Sequence, residues 1–486
     1  MVARKPYPGA HRKLVLAFDI GTTFSGVSYS ILDPGEIPRT LGVHRFPGQE
    51  ANAGDSKIPS VLWYDQAGEV RAVGAQAQLP QVVDQAVTEE WMKVEWFKLH
   101  LRPVTEVLPS DREAQRYSRM APLPERKTII DILADFMKYL YSCTRTYVIE
   151  THASGSIIWA SLEAHTDFVL SHPNGWGGSQ QEKMRRAAIQ AALIPDTPEG
   201  RARVQFVTEG EASIHFCISN GLAVDAIKDG KTIMVVDAGG GTVDISTYAL
   251  KNADDLTMEE VAPPDCDLHR QYFVCCTALK TVVEKLADSK YGNEDDIEEM
   301  FKHFDGWAKP VFQSPEEPSY IRFGSMRDKD LAYGIRNGQL TLSGTEMSSL
   351  FEPSIVRIKD AIHNQLSAAQ TPVNILFLVG GFAANPWLFS QLKQFAQALC
   401  LDFARPDSHT NKAVAEGSLS YYLDHFVSVR VARFTYGTRM ADHYVPSNPE
   451  HQRRHNQLFT WPSGLQAIRG GFGTIMQKAS PSDAAL

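Results

Sequence analysis

Two aspartates, each ending an apolar run and opening a glycine turn, are the residues best placed to do chemistry. Asp19 follows Leu14, Val15, Leu16, Ala17 and Phe18 and precedes Gly21-Thr22-Thr23. Asp237 follows Ile233, Met234, Val235 and Val236 and precedes Gly239-Gly240-Gly241-Thr242. Glycines let a backbone take positive φ and approach a ligand closely, and the free N–H groups of such a turn can face inward as an anion cradle. A carboxylate beside that cradle suits Mg²⁺, which dehydrates reluctantly and keeps several of its waters. Each motif alone is also a plain hairpin with a glycine turn. Its repetition in two halves of one chain is more specific, and implies two like lobes gripping one phosphate chain from both sides.

Such turns need strands before and after them. Val27, Tyr29 and Ile31 alternate with Ser28 and Ser30 after the first turn, and Ile245 to Tyr248 alternate after Asp244, so both read as returning strands. A further apolar strand, residues 373–379, runs into Gly380-Gly381, with Asn385 and Pro386 suited to the N-cap and first position of a helix. That strand, double glycine and helix start make a pocket that can accept a flat ring against backbone. Glu209 stands where a short strand meets a helix, a common place for a site residue and equally for a carboxylate meeting the helix dipole. Lys98 lies near the end of residues 89–101, read as an amphipathic helix or a helix running into a strand. From spacing alone Lys98 is a solvated surface lysine.

The chain of 486 residues is too long for one core and calls for two large lobes. A formal net charge of -9 argues against nucleic acid as the partner. The six cysteines show no CxxC spacing and read as reduced thiols of a cytoplasmic protein. No stretch is long and apolar enough to suggest a membrane span. Residues 1–12 read as a flexible basic tail, and 128–150 as a helix capped by Thr128. Ser179 and Glu182 read as a capping box for a helix to Leu193. Residues 252–270 read as loop, 278–304 as charged helix, and those after Tyr436 as polar and irregular.

The motifs FDIGTT, VVDAGGGTVDIS and LVGGF, in that order, resemble the actin-like ATPase superfamily, and within it the heat shock 70 kDa protein family. The closest likeness is to its divergent type-12-like members, common in fungi, over about residues 13–430. The resemblance implies an α/β fold of two lobes, each a ribonuclease-H-like mixed sheet with flanking helices, and a cleft that takes ATP or ADP with Mg²⁺. It implies that Asp19 and Asp237 surround the metal and its waters, and that Gly21, Thr22, Thr23, Gly239, Gly240, Gly241 and Thr242 cradle the phosphates. Lys98 would touch the γ-phosphate, Glu209 would order the metal waters, and Gly380 and Gly381 would face the adenosine. Lobe I would span residues 13–228 with an insertion at about 55–127, and lobe II 229–430 with an insertion at about 270–343. The expected activity is slow hydrolysis of ATP; the alternatives are an inactive nucleotide-sensing module and a sugar-type kinase. Protein clients or co-chaperone-like partners follow from the same likeness. Two departures stand out. The family's Gly-Gly-Glu-Asp stretch is replaced by CDLHRQYF at residues 266–273. The 431–486 segment is too short for a peptide-binding β-sandwich of about 100 residues, and reads as a remnant or truncated substrate-binding region.

Overall fold

The computed structural model describes residues 4–49, 56–103, 122–221, 230–240, 242–252, 256–267, 270–405 and 413–483. Its first half is organised by β1 (Lys13–Ile20), β2 (Phe24–Leu32), β3 (Leu41–Gly42), β4 (Asp167–His172) and β5 (Val204–Thr208). They form a sheet in the order β3-β2-β1-β4-β5, antiparallel on the β2 side of β1 and parallel on the β4 side. Helices α1 (Ile129–Thr151) and α2 (Gly178–Gln190) cover its outer face, and α3 (Glu209–Ser219) lies on the inner one. The second half repeats this plan. Strands β6 (Thr232–Ala238), β7 (Val243–Asn252), β8 (Thr257–Glu260), β9 (Val373–Val379) and β10 (Asp402–Ala404) run in the order β10-β9-β6-β7-β8 with the same parallel and antiparallel senses. Helices α4 (Gly344–Ala368) and α5 (Pro386–Ala398) cover its outer face. Helix α6 (Ala413–Asp424) packs on α3 between the two sheets.

This layering explains why the central strands are apolar throughout rather than alternating. On β1, Leu14, Leu16 and Phe18 enter the outer core, while Val15 and Ala17 meet Ala212 of α3 and Val414 and Leu419 of α6. On β6, Met234 and Val236 face outward and Ile233 and Val235 face the crossing helices. The ribonuclease-H-like sheet expected for each lobe of the two-lobed, actin-type fold is therefore present in both halves. Gly417 of α6 sits where a Cβ would collide with the Ala212 carbonyl of α3, so only glycine permits that close helix crossing.

Several local expectations are corrected. Residues 4–12 are not a loose tail: Arg4 pairs with Asp424 at 3.0 Å and bonds Thr40 and Ser420, and Tyr7 exchanges backbone bonds with Gly35 and Glu36. Helix α2 starts at Gly178, with the Gln180 side chain accepting from the Gly177 N–H; Glu182, the expected capping partner, is taken by Arg201 at 3.1 Å. Residues 89–101 form a strand, Met92–Glu95, and a 3-10 turn, Phe97–Leu101, because the strand pairs with Val61–Tyr64. Residues 252–270 contain β8 and the short strand Asp265–Asp267. The charged helical stretch is two helices, Arg270–Lys285 and Glu294–His303.

The residues after Tyr436 form strands and a short helix, Pro449–Arg453, rather than irregular chain. The strand β11 (Val427–Val431) extends the second sheet beside β8, and β12 (Tyr436–His443), β13 (Leu458–Thr460) and β14 (Gln466–Met476) make a separate sheet in the order β12-β14-β13. The last strand, β15 (Pro481–Asp483), returns to pair with β11. No helix among the described residues is long and apolar enough to cross a membrane.

The Thr128 cap is present as a full capping box. Thr128 Oγ1 accepts from the Asp131 N–H at 3.3 Å, and Asp131 Oδ2 accepts from the Thr128 N–H at 2.7 Å. Thr128→Ala should lower the unfolding free energy by about 1 kcal/mol in urea denaturation. An unchanged midpoint would show that α1 is held by its buried stripe alone.

Candidate active site

Both glycine turns lie at corresponding places, one between β1 and β2, the other between β6 and β7. They face each other: a Cβ on Gly240 would strike the Thr23 side chain. Gly239 closes its turn by donating to the Thr242 carbonyl at 2.9 Å, and Gly21 donates to Ser25 Oγ at 3.2 Å. Gly241 lies outside the described residues. Asp19 and Asp237 stand at the C-terminal ends of β1 and β6, and both are buried. Thr22 and Thr242 are buried beside them, and Thr23 is half-buried.

The carboxylates are held by groups far away in sequence. Asp19 Oδ2 pairs with Lys57 Nζ at 3.1 Å, and its Oδ1 accepts from Ser171 Oγ of β4 at 3.2 Å. Asp237 Oδ2 accepts from Ser213 Oγ of α3 at 2.8 Å. Burial pushes the Asp237 carboxyl up to about 7, and the Glu209 carboxylate adds to the rise.

Lys98 and Glu209 come together. Glu209 is the first residue of α3, placed by Thr208, whose hydroxyl caps the helix by accepting from the Glu211 N–H at 3.2 Å. Lys98 Nζ donates to Glu209 Oε1 at 2.5 Å, and only 5% of the lysine is exposed. The solvated lysine suggested by spacing is thus a buried ion pair. Burial alone would lower the Lys98 pKa, but the carboxylates of Glu209, Asp19 and Asp244 outweigh it and raise it. Thr242 Oγ1 reaches Glu209 Oε2 at 3.5 Å, which links this pair to the second turn.

Gly380 follows β9 directly with φ +96°, and a Cβ there would collide with the Ala238 carbonyl and with Asp237. A glycine is required at this step because two strand ends meet it. Nothing crowds Gly381, which is exposed. Asn385 caps α5 by accepting from the Leu388 N–H at 2.8 Å, with Pro386 in the first turn, as the sequence indicated.

The fold also brings in residues that spacing did not single out: Lys57, Ser171, Ser213 and Asp244. Asp244 is fully buried; its Oδ1 accepts from the Asn174 N–H at 2.5 Å, while no described N–H or O–H donates to Oδ2, beside which lies the Cys266 thiol. Burial, reinforced by Glu209, raises its pKa well above the usual carboxylate range. The one available signal was its place two residues after the Gly-Thr turn.

Four buried carboxylates, Asp19, Glu209, Asp237 and Asp244, therefore share two ammonium groups, Lys57 and Lys98. An acidic excess of this kind, with one carboxylate oxygen met by a thiol but by no described N–H or O–H, suits a further cation. Among the described residues no three His, Cys, Asp or Glu side chains are grouped to hold a metal directly. A hydrated ion, met through its waters by Asp19 and Asp237, is the form these residues fit.

No protein-family model matches the chain. Among curated proteins it is similar to heat shock 70 kDa protein 12A of mouse, 21% identical over 515 residues, covering 89% of this chain and 73% of that protein. It is likewise similar to human heat shock 70 kDa protein 12A, 22% identical with the same coverage, and to human heat shock 70 kDa protein 12B, 20% identical over 89% of this chain and 72% of that one. Two like sheets, crossing helices between them and facing glycine turns define an actin-like ATPase fold. Within that class, the chain is similar to the type-12 proteins of the heat shock 70 kDa family.

Proposed function

We propose that the chain binds ATP between its lobes and hydrolyses it slowly to ADP and phosphate in a Mg²⁺-dependent reaction. The observation that carries this reading is the meeting of the two turns, Gly240 against Thr23, with Asp19 and Asp237 at their bases and the Lys98–Glu209 pair alongside. Phosphoryl transfer passes through a loose, highly charged transition state, so positioning and charge neutralisation do most of the work.

Backbone N–H groups of the two turns, with Thr22, Thr23 and Thr242, cradle the phosphates. Lys98 neutralises charge on the terminal phosphoryl group, and Glu209 orients water. Asp19 and Asp237 would hold Mg²⁺ through its waters, and the ion would supply positive charge to neutralise the phosphates. Gly380 and Gly381 offer backbone to the adenosine.

The test is single-turnover hydrolysis of ATP by the full chain, with and without Mg²⁺, beside Asp237→Ala. Turnover that needs Mg²⁺ and disappears in Asp237→Ala is the expected result. Tight ATP binding without turnover would make the protein a nucleotide-sensing module, and ATP consumption that rises with a sugar panel would make it a kinase. An absence of ATP binding would overturn the proposal.

A further inference from the structure

The C-terminal sheet has one strand edge that nothing described covers. Strand β14 spans eleven residues, but β13 pairs with it only at Gln466, Ala467 and Ile468. On that side no strand pairs with residues 471–476, the Arg454 guanidinium reaches the Arg469 carbonyl at the near end, and β12 occupies the other side. Large apolar side chains stand in water there: Phe472 is 58% exposed and Ile475 76%. An open apolar strand edge is a template for another strand unless charge or proline blunts it. The outer edge of β12 is blunted by Arg439, Asp442 and His443, whereas residues 470–476, GGFGTIM, carry no charge and no proline.

The geometry points to a second copy of this chain as the partner, joined edge to edge through residues 470–476 in an antiparallel, two-fold pairing. The segment complements itself. In a register centred on Gly473, Gly471 of one copy lies opposite Ile475 of the other, and Phe472 lies opposite Thr474. Gly471, Gly473 and Ile475 share one face, on which the Met440 thioether lies over Gly473 and the Asp442 carboxylate over Gly471, so Ile475 of the other copy falls beside an apolar side chain there. Arg469 falls opposite the uncharged Gln477. Two identical edges related by a two-fold axis close on each other and leave no free copy of this edge, the isologous pattern of most dimers.

The test is sedimentation velocity of the full chain over a wide concentration range, with Ile475→Lys beside it. Ile475 is largely exposed, so its replacement should leave the thermal unfolding of the monomer unchanged. A wild-type dimer, weakened about tenfold or more in Ile475→Lys by two like charges in one small interface, is the expected result. Amide exchange at residues 470–476 should slow as concentration rises. A monomer throughout, a dimer indifferent to Ile475→Lys, or concentration-independent exchange at that edge would overturn the proposal. So would slowing of that exchange in the monomer by an added apolar peptide, which would give the edge a different occupant.

Discussion

Replacing Lys98 with alanine is expected to slow single-turnover ATP hydrolysis by about 10²–10³-fold and to lower the unfolding free energy by about 3–5 kcal/mol. The two losses have different origins. The first comes from removing a positive charge that acts on the phosphoryl group as its charge develops. The second comes from Glu209, which is buried and bonded by Lys98 at 2.5 Å. Without that partner an uncompensated carboxylate stays in a region already shared by Asp19, Asp237 and Asp244. Lys98→Ala combined with Glu209→Gln separates the effects. The double variant should regain most of the lost stability in urea denaturation and none of the turnover. Recovery of turnover would reduce Lys98 to a counter-ion for Glu209 and would also remove the water-orienting role given to Glu209, and unchanged stability in Lys98→Ala alone would mean that the buried pair contributes nothing net.

The parts of this protein that were legible in its sequence are those whose cause is local. An apolar run, an aspartate and a glycine turn specify a strand and its return within some twenty residues, and both hairpins form with Asp19 opposite Gly26 and Asp237 opposite Asp244. The Thr128 and Asn385 caps act on the turn that follows them and are readable for the same reason. Lys98 was not legible by spacing, because its burial depends on Glu209, 111 residues away. Lys57, Ser171 and Ser213 likewise acquire roles only when the sheet sets them beside Asp19 and Asp237. The C-terminal sheet is not legible for another reason. Strand β12 is exposed on both faces over most of its length, so no buried side imposes an alternation of polar and apolar residues.

Glu260→Gln should remove a loss of stability that the wild type suffers as pH rises from about 4.5 to about 8. Glu260 ends β8 and is buried, and its Oε2 accepts from the Val431 N–H of β11 at 2.8 Å. Burial pushes its carboxyl up to about 8; the Val431 N–H opposes the rise, Glu211 adds to it and Arg430 opposes it. Unfolded, the group titrates near its ordinary 4.5. Between those values the native chain holds a proton that the unfolded chain releases, so folding is favoured less with each step up in pH. The contribution is complete below about pH 4.5 and is lost as pH passes through about 8. Glutamine keeps an oxygen for the Val431 N–H and never ionises. At pH 9 the variant should be more stable by on the order of 4 kcal/mol, and at pH 4 the two proteins should match. Asp237 and Asp244 titrate in both proteins and cancel in the difference. Urea denaturation at a series of pH values reads this directly, and parallel curves would show that Glu260 ionises in the fold as freely as it does in the open chain. The effect bears on the link between site and C-terminal sheet. Glu211, two residues into the helix that Glu209 begins, is bonded by Arg430 at 2.8 and 3.0 Å, one residue before the Val431 amide that Glu260 holds. A charge appearing on Glu260 repels Glu211 at the point where α3 and β11 are joined, so alkaline pH should loosen β11 before it loosens the strands that carry Asp19 and Asp237.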